Sequence, residues 1–432
     1  MVVMVLSKII NMSKFYKNIY NIAIGTIIAQ LIQFITLPIL SRLYNPTDFG
    51  YYALFNVFSS VLAVFATAKY EIAIFLPKSH DEAKDIAVYA MILTILTSFF
   101  ILIGLIFVKN PIGILFKLPL TSIWFIISLV IQMGLIGIHQ IFICWLSRKE
   151  KYKTISLNLI LRAFIVSMVS TMLSLQNVLP HGLILGSIIG QFFATIVIIF
   201  STKPNVQNHI RNITIEKIKY VAIKYSGFAI FSFPGELIRT LATSVPIMVL
   251  AAYFGNLVVG NYNQAQRIIF APLSTAGYAV ADVYRQQAAI EWNTNEECSR
   301  IFRQVFWLIV IIFSPIYLLI WIYSPDFIPF ILGPQWTIAG NFARILIPLA
   351  FLSLMATILG RTNSIAHKLK EDAIWQIAYL FIITISLLYG SESGDVNNAL
   401  ALFTLFSSLF YIIYISKCYH FSKGKIEISP MQ

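Results

Sequence analysis

Five ionisable side chains lie deep inside long apolar segments of the sequence: Arg162, Glu236, Arg239, Arg267 and Arg344. A charged side chain at the centre of a bilayer costs roughly 2.5–3.5 kcal/mol, so such groups should face a protein interior or a wet cavity. Guanidinium groups bind phosphate oxygens through paired hydrogen bonds and stay charged when they are partly desolvated. The surplus of arginine therefore predicts a site for an anionic, phosphate-bearing ligand.

Glu236 and Arg239 also allow a simpler interpretation, because residues three positions apart lie on one face of a helix. The two could form a structural ion pair that contacts no ligand. Arg162, Arg267 and Arg344 have no nearby acidic residue in their own apolar segments, so the same explanation does not extend to them.

Other single residues near these segments remain open to two interpretations each. Glu236 and Asp282 are the candidates for binding a proton or Na⁺ in exchange for a ligand, and no cofactor is implied. Arg42 could reach lipid headgroups or face an internal lumen. The Pro234-Gly235 pair predicts a bend in its helix, which is either a static kink or a hinge.

A set of amide side chains accompanies the charged residues. These amides could donate and accept hydrogen bonds to a hydroxyl-rich ligand, or they could join neighbouring helices. The candidates for contact with such a ligand are Gln30, Gln33, Asn56, Asn263 and Gln264.

The composition identifies the kind of scaffold that holds these residues. Hydrophobic residues make up 58% of the 432-residue chain and charged residues only 11%, whereas soluble domains contain about 25% charged residues. Apolar stretches of about 20 residues, long enough to cross a bilayer, recur along the whole chain. We expect an all-α integral membrane protein with about twelve transmembrane helices, near 18–40, 49–67, 85–108, 120–146, 154–175, 181–201, 227–253, 257–283, 305–324, 337–359, 372–390 and 396–419.

The distribution of basic residues predicts the orientation of these spans. If both termini are cytoplasmic, 24 of the 31 Lys and Arg residues fall in cytoplasmic segments and only Arg42, Lys109 and Lys117 fall outside. This bias follows the positive-inside rule, and it explains the net charge of +13 without a nucleic-acid partner. The three cysteines are far apart, with no spacing typical of a metal site.

Three landmarks recur along the chain at an almost constant spacing. Pro38-Ile39 matches Pro246-Ile247, Gly50 and Tyr52 match Gly260 and Tyr262, and Pro111, which we place after the third span, matches Pro325 after the ninth. The repeat predicts two six-helix bundles around a central cavity, in residues 1–201 and 227–432, joined by a cytoplasmic linker in 202–226. In the first corner, Asn45-Pro46 and Asp48 predict a turn, and Tyr44 suits the aromatic belt of a membrane interface.

The segment from Leu37 to Lys84 resembles the polysaccharide-biosynthesis or O-antigen flippase family, which belongs to the superfamily of multidrug, oligosaccharidyl-lipid and polysaccharide exporters. Members begin with an arginine and a P-x-x-F-G-x-Y corner, followed by a Y-E-x-A-I-x-L-P segment and a Glu-Ala helix start. The matching residues here are Arg42, Pro46, Phe49, Gly50, Tyr52, Tyr70, Glu71, Ala73, Ile74, Leu76, Pro77, Glu82 and Ala83.

The resemblance implies a MATE-like exporter fold in the bacterial cytoplasmic membrane. Such proteins are not enzymes. They move an undecaprenyl-diphosphate-linked glycan, of O-antigen or capsule type, between the leaflets of the membrane. Their other expected partners are membrane lipids and polysaccharide polymerases or ligases. The intramembrane arginines would then line a cationic lumen that receives the diphosphate, and the five amide residues would be the candidates for glycan contact. Alternating access would carry the molecule across. Three other functions remain open: a multidrug or other small-molecule exporter, a lipid II flippase, or a membrane polysaccharide polymerase.

Overall fold

A computed structural model describes residues 2–116, 123–176, 178, 181–202 and 214–424. Lys117, residues 203–213 of the predicted linker and the last eight residues lie outside the described residues. The described chain consists of helices joined by short turns. The helices are α1 (Val2–Leu43), α2 (Pro46–Thr67), α3 (His80–Leu115), α4 (Ile123–Arg148), α5 (Tyr152–Leu175), α6 (His181–Ser201), α7 (Ile215–Lys224), α8 (Phe233–Phe254), α9 (Asn256–Asn295), α10 (Ser299–Leu332), α11 (Thr337–Leu359), α12 (Thr362–Ile365), α13 (Leu369–Ser391) and α14 (Val396–Ser422).

Within the described residues, eleven helices are long and apolar enough to cross a membrane. They correspond to eleven of the twelve predicted spans, and the all-α membrane fold is confirmed. The remaining predicted span, residues 257–283, falls in α9, a continuous helix of 40 residues that is not among the eleven. Its sequence places several Asn, Gln and Arg residues between apolar ones, which lowers its apolar character.

Several helices extend beyond the ends predicted from hydropathy. Pro111 and Pro325 lie inside α3 and α10, not after them, so the predicted ends of these spans are wrong. Similarly, α9 continues to Asn295, so Asp282 does not lie near the end of its helix. Hydropathy detects the part of a helix that suits the hydrocarbon core, whereas backbone hydrogen bonds continue into polar surroundings.

The chain forms two compact units, Met1–Thr240 and Leu241–Gln432. In the first unit, α1 and α6 pack on α5, and α2, α3 and α6 pack on α4. In the second unit, α11 is central and packs on α9, α10 and α14, while α13 packs on α14. Small residues permit close approach: a Cβ on Gly186 would meet the Ser170 side chain, and one on Gly340 would meet the backbone at Pro325.

The segment predicted as a linker contains the short helix α7, which packs on α3. Lys224 and Tyr225 at its end both bond to the carboxylate of Glu82. A π-helical turn, Phe228–Ser232, follows and leads directly into α8. A π-helical turn has wider hydrogen-bond spacing than an α-helix. It lies just before Pro234, whose missing N–H and ring disturb a regular α-helix.

Candidate functional site

A short 3₁₀ turn, Tyr70–Phe75, carries the Y-E-x-A-I segment against α3 and α4. Tyr70 packs edge to face on Tyr89 with ring centroids 4.7 Å apart, and its hydroxyl donates to the Ala222 carbonyl at 2.9 Å. Burial raises the pKa of Tyr70 to about 12, so its hydroxyl remains a donor at neutral pH. Arg148 of α4 donates to the carbonyl oxygens of Ile74 (2.8 Å) and Pro77. These contacts fix the turn at the end of α2 that the charge distribution predicts to be cytoplasmic.

Four charged side chains meet where this turn approaches the start of α8. We call Lys69, Glu71, Glu236 and Arg239 the charge cluster. The Arg239 guanidinium donates to both carboxylate oxygens of Glu236, with Nε 2.9 Å from Oε2. Lys69 Nζ lies 3.4 Å from Glu236 Oε1 and 3.7 Å from Glu71 Oε1. The predicted pair of Glu236 and Arg239 is therefore present, and it belongs to a larger arrangement of two cations and two carboxylates.

Exposure differs strongly within the charge cluster. The side chain of Arg239 is 61% exposed, whereas those of Glu236 and Lys69 are 24% and 17% exposed and that of Glu71 only 1%. Lys69 has a positive φ of 66°, and Ala68 before it has a φ of 45°. Non-glycine residues seldom adopt this conformation, and two in succession show that the surrounding contacts determine the turn.

The sequence pattern alone does not indicate a role for Lys69 or Glu71 in a site. Lys69 is one of the basic residues in the predicted cytoplasmic segments, and Glu71 is part of the family motif. An acidic residue inside an otherwise apolar motif is the signal that could have identified Glu71, because a buried carboxylate needs a partner.

Arg162 belongs to a polar layer in the core of the first unit. It is partly buried on α5, within electrostatic range of Tyr52 and His139. His139 contacts the Asn158 side-chain oxygen at 2.8 Å, and Asn158 donates to the Ala194 carbonyl at 2.7 Å. Hydrogen bonds thus connect α4, α5 and α6 next to this guanidinium.

The first corner is built mainly for structure. The carboxylate of Asp48 accepts the backbone N–H of Asn45 at 2.9 Å, and Pro46 occupies the first turn of α2. Tyr44 is fully buried and donates its hydroxyl to the Ser170 carbonyl at 2.7 Å, so the prediction of an interfacial tyrosine is wrong. Its ring packs on Phe49 inside the unit. Arg42 is exposed in the last turn of α1, where a cation suits the helix C-terminus.

The candidate glycan residues of the first unit lie on its first two helices. Gln30 is partly buried and Gln33 exposed on α1, and Asn56 is partly buried on α2. Gln30 and Gln33 each have an interaction with a neighbour.

The candidates of the second unit lie mostly on α9. Asn263 and Arg267 are partly buried, and Asp282 is exposed. Gln264 is fully buried, and neither atom of its side-chain amide has a hydrogen-bond partner among the described residues. Arg344 is exposed on α11, with its guanidinium carbon 4.6 Å from the centroid of the Trp321 ring. This arrangement is a cation–π contact between α10 and α11.

Comparison of the fold with solved structures identifies the class. The chain is similar to a lipid II flippase, MurJ, in an inward closed conformation, with a TM-score of 0.71 and 14% identity over 93% of this chain and 89% of that one. It is also similar to a multidrug resistance MATE family transporter of the MOP superfamily in an inward-facing conformation, with a TM-score of 0.68, 12% identity and coverage of 90% and 93%. At these identities the similarity defines the fold, which is that of membrane flippases and exporters.

The sequence identifies the family. Residues 39–340 match the family described as "Polysaccharide biosynthesis protein". No curated protein matches the chain. The chain therefore belongs to this polysaccharide biosynthesis family, as the Arg42-to-Ala83 motif predicted, and it is a multi-pass membrane protein.

Proposed function

We propose that this protein is a flippase that moves an undecaprenyl-diphosphate-linked oligosaccharide, of O-antigen or capsule type, across the bacterial cytoplasmic membrane. It acts by alternating access, from the cytoplasmic to the outer leaflet, and both termini are cytoplasmic. The family supports a role in polysaccharide synthesis, and the fold supports transport of a lipid-linked or amphipathic substrate.

The observation that carries the proposal is the side chain of Arg239, which is 61% exposed although its helix is apolar enough to span a membrane. An exposed arginine in such a helix is costly against lipid, and the cost is offset where the group meets an anionic substrate. Arg162 supplies a second cation in the same unit, and Arg267 and Arg344 supply two in the other. These arginines are the proposed contacts of the diphosphate, each within its own unit, and Arg42 is a further one.

The remaining candidate residues fit the same assignment. The amides of Gln30, Gln33, Asn56, Asn263 and Gln264 offer hydrogen bonds to sugar hydroxyl groups. Glu236 and Asp282 offer carboxylates for coupling to a proton or Na⁺ gradient. Glu236 is the better placed of the two, because it already contacts two cations, whereas Asp282 is exposed on α9.

The largest functional effect should follow the Arg239→Ala change. We expect it to abolish display of the surface glycan while the protein accumulates in the membrane at the normal level. Arg239→Lys should restore little, because the guanidinium bonds through two nitrogens and an ammonium does not reproduce that geometry. The measurement is surface glycan staining in the source organism, with the chromosomal gene replaced by each variant.

Arg285→Ala is the matched control, because Arg285 is an exposed arginine outside the apolar segments. It should leave display unchanged. Full display by the Ala variants of Arg162, Arg239, Arg267 and Arg344 alike, at native protein levels, would remove the basis for a cationic substrate path. In that case the drug-exporter function would gain support, since its substrates are commonly cationic.

A further inference from the structure

The carboxylate of Glu236 sits in an arrangement that suits a phosphate group. Two nitrogens of Arg239 bond to its two oxygens, and the ammonium of Lys69 lies 3.4 Å from one of them. A guanidinium fork and an ammonium that converge on one anion are the combination that proteins use for phosphate oxygens. Arg239 is on α8 and Lys69 follows α2, so the two cations come from separate segments.

The position of Lys69 is determined independently of Glu236. Its backbone is left-handed, and the following turn is held by Arg148 and by the packing of Tyr70 on Tyr89. Lys69 also faces Glu71, which is 1% exposed. Departure of the Glu236 carboxylate would therefore leave the Lys69 backbone and its contact with Glu71 in place.

Glu71 maintains the charge balance of this arrangement. Its Oε2 atom has no hydrogen-bond partner among the described residues, and its Oε1 atom lies 3.7 Å from Lys69. With Glu236 present, the charge cluster contains two cations and two carboxylates. With Glu236 displaced, Lys69 and Arg239 present a net positive site, because Glu71 offsets only one of the two charges.

The outer part of the charge cluster is accessible. The Arg239 side chain is 61% exposed and that of Glu236 is 24% exposed, so a ligand can reach both the guanidinium and the carboxylate. A long, flexible glutamate side chain can rotate away from the helix without any change in the backbone.

We propose that Lys69 and Arg239 form a binding site for a diphosphate ester, and that Glu236 occupies this site as an internal anion which the ligand must displace. The identification of the ligand with a lipid-linked diphosphate rests on the proposed function. The site itself requires only the shared chemistry of diphosphates, whether free or attached to a lipid. Displacement would make the resting site weak, so that an anion of higher charge is favoured over singly charged competitors.

Binding of inorganic pyrophosphate and of farnesyl diphosphate to the purified full-length protein tests the proposal. Glu236→Gln removes the competing charge and keeps the size of the side chain, so we expect it to bind pyrophosphate about tenfold more tightly than the unmodified protein. Glu216→Gln, which makes the same change at an exposed position on α7, should bind as the unmodified protein does. Titration calorimetry in detergent provides the measurement.

Two double variants locate the gain in affinity. Adding Lys69→Ala or Arg239→Ala to Glu236→Gln should abolish the gain if these residues bind the ligand. Equal affinity of Glu236→Gln and the unmodified protein would overturn the proposal, and so would a gain that survives both alanine changes. A thermal melting curve of each variant shows whether that variant is folded before its affinity is compared with that of the unmodified protein.

The two ligands distinguish the source of the diphosphate. Tighter binding of farnesyl diphosphate than of pyrophosphate supports a lipid-linked ligand, and equal binding supports a site for the diphosphate group alone. Failure of the site and failure of the proposed function also give different results. If calorimetry shows the expected affinities but Arg239→Ala displays surface glycan normally, the proposed flippase function is overturned. If Arg239→Ala loses glycan display but calorimetry does not show the expected affinities, the proposed diphosphate site is overturned.

Discussion

The two matched corners of the chain make the same reversal by different means. Before α2, the turn depends on side chains: Asp48 accepts the Asn45 N–H, and Pro46 starts the helix. Before α9, the turn depends on the backbone of Gly255, whose φ is 83° and ψ −177° and whose N–H donates to carbonyls of α8 at 3.1 Å. No residue with a side chain adopts this conformation readily.

The difference shows which polar residues are committed to the fold. The first corner uses its polar side chains to begin a helix, so they have little capacity left for a ligand. The second corner turns through the backbone of Gly255. Gln264, about two turns into α9, is buried without a hydrogen-bond partner among the described residues. A matched pattern in sequence therefore does not imply matched roles.

Replacement of Gly255 by alanine should have the largest effect on stability. The side chain would have to adopt a backbone region that is nearly exclusive to glycine, at a cost of about 1–3 kcal/mol. We expect a lower melting temperature and less protein in the membrane. Gly104→Ala is the control, because a Cβ there meets no atom within 4 Å and α3 is helical around it. Equal melting temperatures for the two variants would contradict the backbone role assigned to Gly255.

Loss of the Asp48 carboxylate should have an intermediate effect. Asp48→Ala removes the acceptor of the Asn45 N–H and should destabilise the protein by about 1 kcal/mol, as is typical for loss of a helix cap. Asp48→Asn keeps a side-chain oxygen at the same position and should recover much of this stability. Thermal unfolding followed by intrinsic fluorescence provides the comparison. If Asp48→Ala were as stable as the unmodified protein, Pro46 and the backbone alone would define this corner.

The smallest effect on stability is expected at Gln264, where substitution should not destabilise the protein as the changes at Gly255 and Asp48 do. A buried amide that has no partner costs free energy, and Gln264 has none among the residues that the structure describes, so Gln264→Leu should leave the melting temperature unchanged or raise it. Gln191→Leu is the contrasting variant in the first unit, because the Gln191 amide contacts Thr195 Oγ1 at 3.4 Å and its loss should destabilise the protein. If Gln264 binds the glycan, Gln264→Leu should display less surface glycan although the protein is fully stable. A lower melting temperature for Gln264→Leu would instead identify it as part of the fold.

Much of the fold follows from the sequence alone. Span lengths depend on apolar content, and eleven predicted spans correspond to helices because a bilayer-crossing segment must satisfy its own backbone hydrogen bonds. The pair of Glu236 and Arg239 was also predictable, since helical periodicity alone brings residues three apart together. The family could be identified from Arg42 to Ala83, because that motif combines a turn with a specific order of charged and apolar residues.

Only the tertiary structure revealed the rest of the charge cluster. Lys69 reaches Glu236 because a left-handed turn after α2 approaches the first turns of α8, and no local pattern encodes a contact between residues so far apart in sequence. Tyr44 is a core residue because α5 and α6 cover it, although its position at a helix end suggested the membrane interface. The sequence determines which segments become helices through local hydrogen bonding and apolar length. Packing between those helices decides which charges meet, because that depends on the three-dimensional arrangement of distant segments.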